Sequence, residues 1–205
     1  MIIYPRQCLL DAYTHTECPN CFRSLASPST NGEQQLLCNL SNEGGVQEGL
    51  DILPLLTEEA YLKTYPEERR CRAFLEFCRE GDVEAIANVL EDEEDEDEQF
   101  QTGRIDVLRY QDPIGEMNSG LHLAVQAQKI EIAWMLLMLA SSLDLEQFPS
   151  EVHQAAHVLG VMREDQAGKA DIRSLRDAEG RTAEQLATSI GGIWNDWIRS
   201  GTLAV

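Results

Sequence analysis

Three short segments constrain this chain more than anything else in it. Ser119-Gly-Leu-His-Leu-Ala-Val125, Ser150-Glu-Val-His-Gln-Ala-Ala156 and Thr182-Ala-Glu-Gln-Leu-Ala187 each open on a hydroxyl residue and continue into a helix-like pattern rich in Leu and Ala. Their opening residues stand 31 and then 32 positions apart. A fixed period of this length is the mark of a repeat array, in which each unit buries its apolar face only by stacking on its neighbours. The last segment shows the physical demands most clearly. Gly180 can take positive φ in the turn before the helix, Thr182 can cap the helix N-terminus, and Ala187 is small enough for a neighbouring helix to approach.

The stretch from Gly168 to Ala187, with Ala170-Asp171, Asp177, Gly180, Thr182, Leu186 and Ala187, resembles the ankyrin repeat: a Gly-Ala-Asp loop, an Asp-x-x-Gly-x-Thr turn and a first helix carrying Leu and Ala. The segments at Ser119 and Ser150 are similar to the family's Thr-Pro-Leu-His-x-Ala-Ala, at close to its period of about 33 residues. Upstream, Phe74 to Asp82 resembles the first helix and Gly-Asp turn of a leading repeat, and Val83, Ile86, Ala87 and Leu90 share one face of a second helix. The register position there is Arg72, 47 residues before Ser119, so about fifteen residues are inserted. Departures accompany the matches. Gly120 and Glu151 stand where the family has proline, Gln128 and Leu159 where it has the turn glycine, and Asp165-Gln-Ala-Gly168 cuts short the third repeat's second helix, which starts at Val161.

The resemblance covers roughly residues 67 to 192 and implies an all-α fold, an ankyrin-repeat solenoid of stacked helix pairs with a loop-rich N-terminal extension. The expected organisation is an extension over 1–52, a leading helical segment over 53–70, repeats over 71–192 and a capping helix and tail over 193–205. Thr64-Tyr-Pro-Glu67 reads as a capping box for a helix running to about Arg79. Trp194, Trp197 and Ile198 fall on one helical face, suited to covering the open end of a stack, the alternative being an aromatic anchor for a partner.

The insertion, residues 91–103, contains the unbroken run Glu91, Asp92, Glu93, Glu94, Asp95, Glu96, Asp97 and Glu98. Charge runs commonly serve only as solvated loops. Here the rest of the chain is acidic too: without these eight, 28 acidic residues still face 16 basic ones, and the whole chain carries a formal charge of −20. Such a field repels phosphate backbones and anionic lipid and favours a basic protein partner. The repeat register places the insertion near the turns of the array, so the run, with Asp112 and Asp177, is the expected partner-binding set. The chain is similar in kind to ankyrin-type chaperones of ribosomal proteins. That likeness implies a scaffold for a basic client, an unassembled ribosomal protein or a histone, bound by a protein that is monomeric beforehand.

Cys18-Pro-Asn-Cys21 followed by Cys38, with Cys8 or His15 as fourth ligand, has the tight turn that holds two thiolates on one zinc. The alternative is isolated thiols, because Cys38 has no partner cysteine two or three residues away. If zinc binds at Cys8, Cys18, Cys21 and Cys38, a regulatory adaptor in transcription or ubiquitination becomes the competing function. Otherwise no cofactor is expected. Cys71 and Cys78, seven apart on one helix, suit a core. No glycine-rich phosphate loop, Gly-x-Ser-x-Gly or His-Glu-x-x-His motif occurs, so no enzyme is expected. The N-terminus lacks the pattern of a signal peptide and no apolar run reaches membrane-spanning length, which points to the cytoplasm or nucleus and away from a membrane.

Overall fold

The computed structural model describes residue 17, residues 21–94 and residues 105–205, with only the backbone at Asn42 and residues 92–94. The chain divides into two compact units, Met1–Pro66 and Glu67–Val205.

In the first unit, β1 (Ser27–Pro28) pairs with β2 (Gln34–Gln35) and β3 (Leu37–Asn42) with β4 (Gly45–Asp51), both antiparallel, before α1 (Leu53–Thr64). Asn42 lies opposite Gly45, so Glu43 and Gly44 form the two-residue hairpin turn. The register shifts between Cys38 and Leu40, and the Asn39 side chain there accepts the Gly49 N–H at 2.9 Å. One carboxylate oxygen of Asp51 accepts from the N–H of Leu36 (2.8 Å) and of Leu53 (3.0 Å), tying strand to helix. Leu36, Ile52 and Leu56 make a small core.

These strands correct the all-α expectation. The described residues form eight helices and two small two-stranded sheets, about 52% helix and 12% strand, which is mixed α/β and not a pure all-α solenoid. The reason is local. Asn42-Glu-Gly-Gly45 reads as loop punctuation but is the hairpin turn; β4 is exposed along nearly all its length, Val46 included, and β3 only half-buries Cys38 and Leu40, so neither strand carries a run of fully buried alternating residues. Thr64 is a second correction. Its hydroxyl donates back to the Ala60 carbonyl at 3.3 Å at the end of α1, and α2 (Arg69–Glu80) begins after a 3₁₀ turn, Pro66–Glu68, with no side-chain cap.

The second unit continues with α3 (Val83–Glu94), α4 (Gly120–Gln126), α5 (Ile130–Ala140), α6 (Ser150–Leu159), α7 (Ala183–Ile190) and α8 (Asn195–Ser200). Three helix pairs result, α2 with α3, α4 with α5 and α7 with α8. Their first helices pack in the row α2, α4, α7. Helix α6 is not in that row: α7 lies directly on α4, and α6 rests on α5 instead. The segment at Ser150, in phase by sequence, is therefore not a member of the stack, and no second helix follows it.

Cys71, Phe74, Cys78, Ile86, Leu121, Ala124, Ile132, Leu136, Leu137 and Ala187 form the shared core. Burial pushes the Cys78 thiol pKa up, so it stays a protonated apolar group. Trp194 is fully buried, its indole N–H donating to the Val125 carbonyl at 3.2 Å. It meets Trp197 edge to face at 5.1 Å, and Trp197 lies 4.2 Å from Trp134 between ring centroids. The C-terminal tryptophans thus belong to the core of the row.

Side chains tether the segment after α6 where a second helix is missing. Arg163 donates to the carbonyls of Met138 (2.8 Å) and Leu143 (2.7 Å) and lies 5.4 Å from the Phe148 ring centroid. Arg109 pairs with Glu164 (2.6 Å) and donates to Gln166 (2.9 Å).

Candidate functional site

The N-terminal ends of α4 and α7 carry two turns built on one plan. In the first, the Met117 N–H donates to the Asp112 carbonyl (2.9 Å) and the Asp112 N–H to that of Asn118 (3.0 Å). The Asp112 carboxylate accepts from the Ile114 N–H at 3.1 Å and from the Arg72 guanidinium at 2.5 Å. A Cβ on Gly115 would stand 2.2 Å from that carboxylate, so only glycine fits. In the second turn, the Asp177 carboxylate accepts from the N–H of Glu179 (3.0 Å) and Arg181 (2.8 Å) and from Arg181 Nε (2.8 Å). Burial alone would raise the Asp177 pKa. The Arg181 N–H and guanidinium outweigh it and hold the carboxyl below the ordinary range.

Both helices then open with reciprocal capping boxes, Ser119 with His122 and Thr182 with Gln185. The His122 ring connects the turns. Its Nδ1 lies 2.8 Å from the Ser119 hydroxyl and accepts the Ser119 N–H, leaving Nε2–H to donate to the Arg181 carbonyl at 3.1 Å. Burial lowers the His122 pKa, which favours this neutral tautomer. The Ala178 N–H donates to the Glu116 carbonyl at 2.8 Å, and the Gln111 side chain donates to the carbonyls of Met117 and Arg176. The two turns are thereby fastened side by side.

This architecture uses Asp112 and Asp177 internally. Both are buried, and their carboxylates organise their own turns. The tips instead expose Ile114, Met117, Glu116 and Glu179, residues that the sequence pattern does not single out. Glu116 and Met117 adopt φ of 59° and 54°, a left-handed pair of non-glycine residues with no sequence signature.

Of the acidic run, Glu91–Glu94 continue α3 as helix where a loop is expected, while Asp95, Glu96, Asp97 and Glu98 lie outside the described residues. Of the thiols expected to hold zinc, Cys8 and Cys18 also lie outside them, as does His15; Cys21 is exposed and Cys38 half-buried, both as free thiols. Among the described residues, no three His, Cys, Asp or Glu side chains gather as a metal site, and no helix is long and apolar enough to cross a membrane.

His153, in phase with His122 by sequence, donates its Nε2–H to the Leu145 carbonyl (3.1 Å) and edges onto Phe148, both within its own segment. Comparison of the chain with protein-family models, with curated proteins and with solved structures finds no match.

Proposed function

We propose that this chain is a protein-binding scaffold that shelters or escorts a basic client, such as an unassembled ribosomal protein or a histone. The observation that carries the reading is the fastened pair of turns, whose tips expose Ile114 and Met117 together with the carboxylates Glu116 and Glu179, the latter paired with Arg181 at 2.9 Å. Apolar anchors beside carboxylates suit a segment that combines apolar side chains with Lys or Arg. Because the turns are cross-linked by backbone and His122 hydrogen bonds, little conformational entropy is lost on binding. The resemblance of the Ser119 and Thr182 segments to ankyrin turns supports the same use of the surface. The net charge of −20 adds long-range attraction to a cationic client, with Glu91–Glu98 as its densest part.

Pull-down of core histones and of isolated ribosomal proteins, at low and high salt, tests the reading. Capture is expected at low salt and to weaken as salt rises. Replacing Glu91–Glu98 by Gly and Ser should slow association about tenfold. Undiminished capture by the neutral variant removes the electrostatic contribution of the run, and no capture by the wild type removes the client assignment.

A further inference from the structure

Beside the row of helices, an apolar surface among the described residues is incompletely filled. Between α5 and α6 lies a cleft of about 280 Å³ walled by Trp134, Met135 and Met138 on one side and Val152, Ala155 and Leu159 on the other. Its origin is the displacement of α6: the helix turns two alanines, Ala155 and Ala156, toward a wall of Trp and Met, and that contact falls short of the close packing of a protein interior. Methionines make the wall adaptable to an incoming side chain.

The charged residues lining the cleft are both carboxylates, Glu131 and Glu151, each the second residue of its helix. Neither forms an ion pair with a described residue; Glu151 only accepts from the Ser150 hydroxyl at 3.2 Å. Further along the same segment Val158 and Met162 are about four-fifths exposed (83% and 81%). An apolar slot with a doubly acidic rim and an apolar flank is complementary to one kind of occupant, an amphipathic segment with Leu- or Met-type side chains on one face and Lys or Arg beside them.

We propose that the α5–α6 cleft receives an apolar side chain from a basic amphipathic segment of the client, with Glu131 and Glu151 pairing its flanking cations. This rests on the basic-client reading above and adds a second surface to the turn tips. The probes are two fluorescein-labelled peptides, one with Leu at helical spacing among Lys residues and one with every Leu replaced by Ser, which keeps the charge. Fluorescence anisotropy with the full chain should give the Leu/Lys peptide at least a tenfold lower Kd.

Ala155→Trp, at an exposed position that lines the cleft, should abolish that advantage while leaving Ser/Lys binding unchanged. Ala155→Leu serves the same purpose if the larger ring unfolds the chain. Glu131→Lys with Glu151→Lys should weaken Leu/Lys binding by a further tenfold or more. A Leu/Lys advantage that survives Ala155→Trp and Ala155→Leu overturns the cleft assignment. If the two peptides bind equally, and both weaken when Glu91–Glu98 is neutralised, the cleft assignment falls and the basic-client reading stands. If neither peptide binds, both fall.

Discussion

The segments at Thr182 and Ser150 look alike in sequence spacing and behave differently in the fold. Before Thr182, the Asp177 carboxylate collects two backbone N–H groups and a guanidinium, and Thr182 closes a capping box. Before Ser150, Asp144 makes no side-chain cap, Leu145–Gln147 form an isolated 3₁₀ turn, and Pro149 occupies the cap position of α6 without a side-chain bond. The first arrangement fits against α4 through His122, whereas the second leaves its helix to rest on α5. Membership of the row therefore depends less on the hydroxyl at the register position than on the turn in front of it. A turn that satisfies its own polar groups can be buried beside another turn; one that does not must stay at the surface.

The sharpest way to break this comparison is to remove the organising acid from each segment. Asp177→Ala removes the acceptor of two backbone N–H groups, while the Arg181 guanidinium keeps Glu179 at 2.9 Å, and should cost about 2 kcal/mol. Asp144→Ala, at an exposed position, should stay within about 0.5 kcal/mol. Urea unfolding of the two variants measures both. Equal losses would mean that the segments are equivalent after all.

Titration separates the segments next. Burial lowers the His122 pKa in the folded chain, so the unfolded chain takes up a proton first as pH falls below about 6.5. The stability that neutral His122 contributes is fully present above that value and is lost as pH drops toward its folded pKa, by at most about 1.4 kcal/mol per pH unit. Melting temperature followed from pH 7.5 to 5.5, values on the order of the histidine range, should therefore fall more steeply in the wild type than in His122→Asn. Asp171 and Asp177 are held below the ordinary carboxylate range despite burial, by Arg173 with Ser142 and by Arg181 respectively. Their contribution is present above about pH 4 and lost below it, outside the histidine window.

Smaller effects come from the caps. Ser119→Ala and Thr182→Ala should each cost about 1 kcal/mol. Ser150→Ala, whose hydroxyl reaches only the neighbouring Glu151 carboxylate, should change stability by less than about 0.5 kcal/mol. Chemical denaturation of the three single variants gives the ranking directly.

Helices were the legible part of the fold because their apolar periodicity repeats over several turns: Val83, Ile86, Ala87 and Leu90 mark α3, and Cys71 and Cys78 are buried where their spacing places them. The row itself was only half legible. Hydroxyl spacing finds Ser119 and Thr182, but it also finds Ser150, since a period carries no information about which turn can satisfy its own hydrogen bonds. Asp112 and Asp177 stand out as acids in the sequence. Their task is internal because short Asp-x-x-Gly turns bring N–H groups within reach of the carboxylate, and this leaves Ile114 and Met117 at the tips through backbone angles that sequence does not display.

The smallest expected effect concerns the ends of the helices. α6 stops at Gly160, which takes φ 70°, while after α4 the left-handed position falls to Gln128 at φ 57°. There the Gln128 N–H donates to the Val125 carbonyl at 3.2 Å and the Lys129 N–H to that of Ala124 at 2.8 Å, so the conformation is fixed by the reversal of the chain from α4 into α5. A side chain in that region costs about 1 kcal/mol, part of which glycine returns through its greater freedom in the unfolded chain. Gln128→Gly should therefore stabilise the chain by roughly 0.5 kcal/mol, read as a small upward shift in urea midpoint. The reverse exchange at Gly160, to Ala, should destabilise by about 1 kcal/mol, and because α6 lies outside the row it should leave the turn tips themselves unchanged. A loss at Gln128→Gly would show that the glutamine side chain holds the α4–α5 turn, and that the row tolerates its missing glycine through a contact instead of strain.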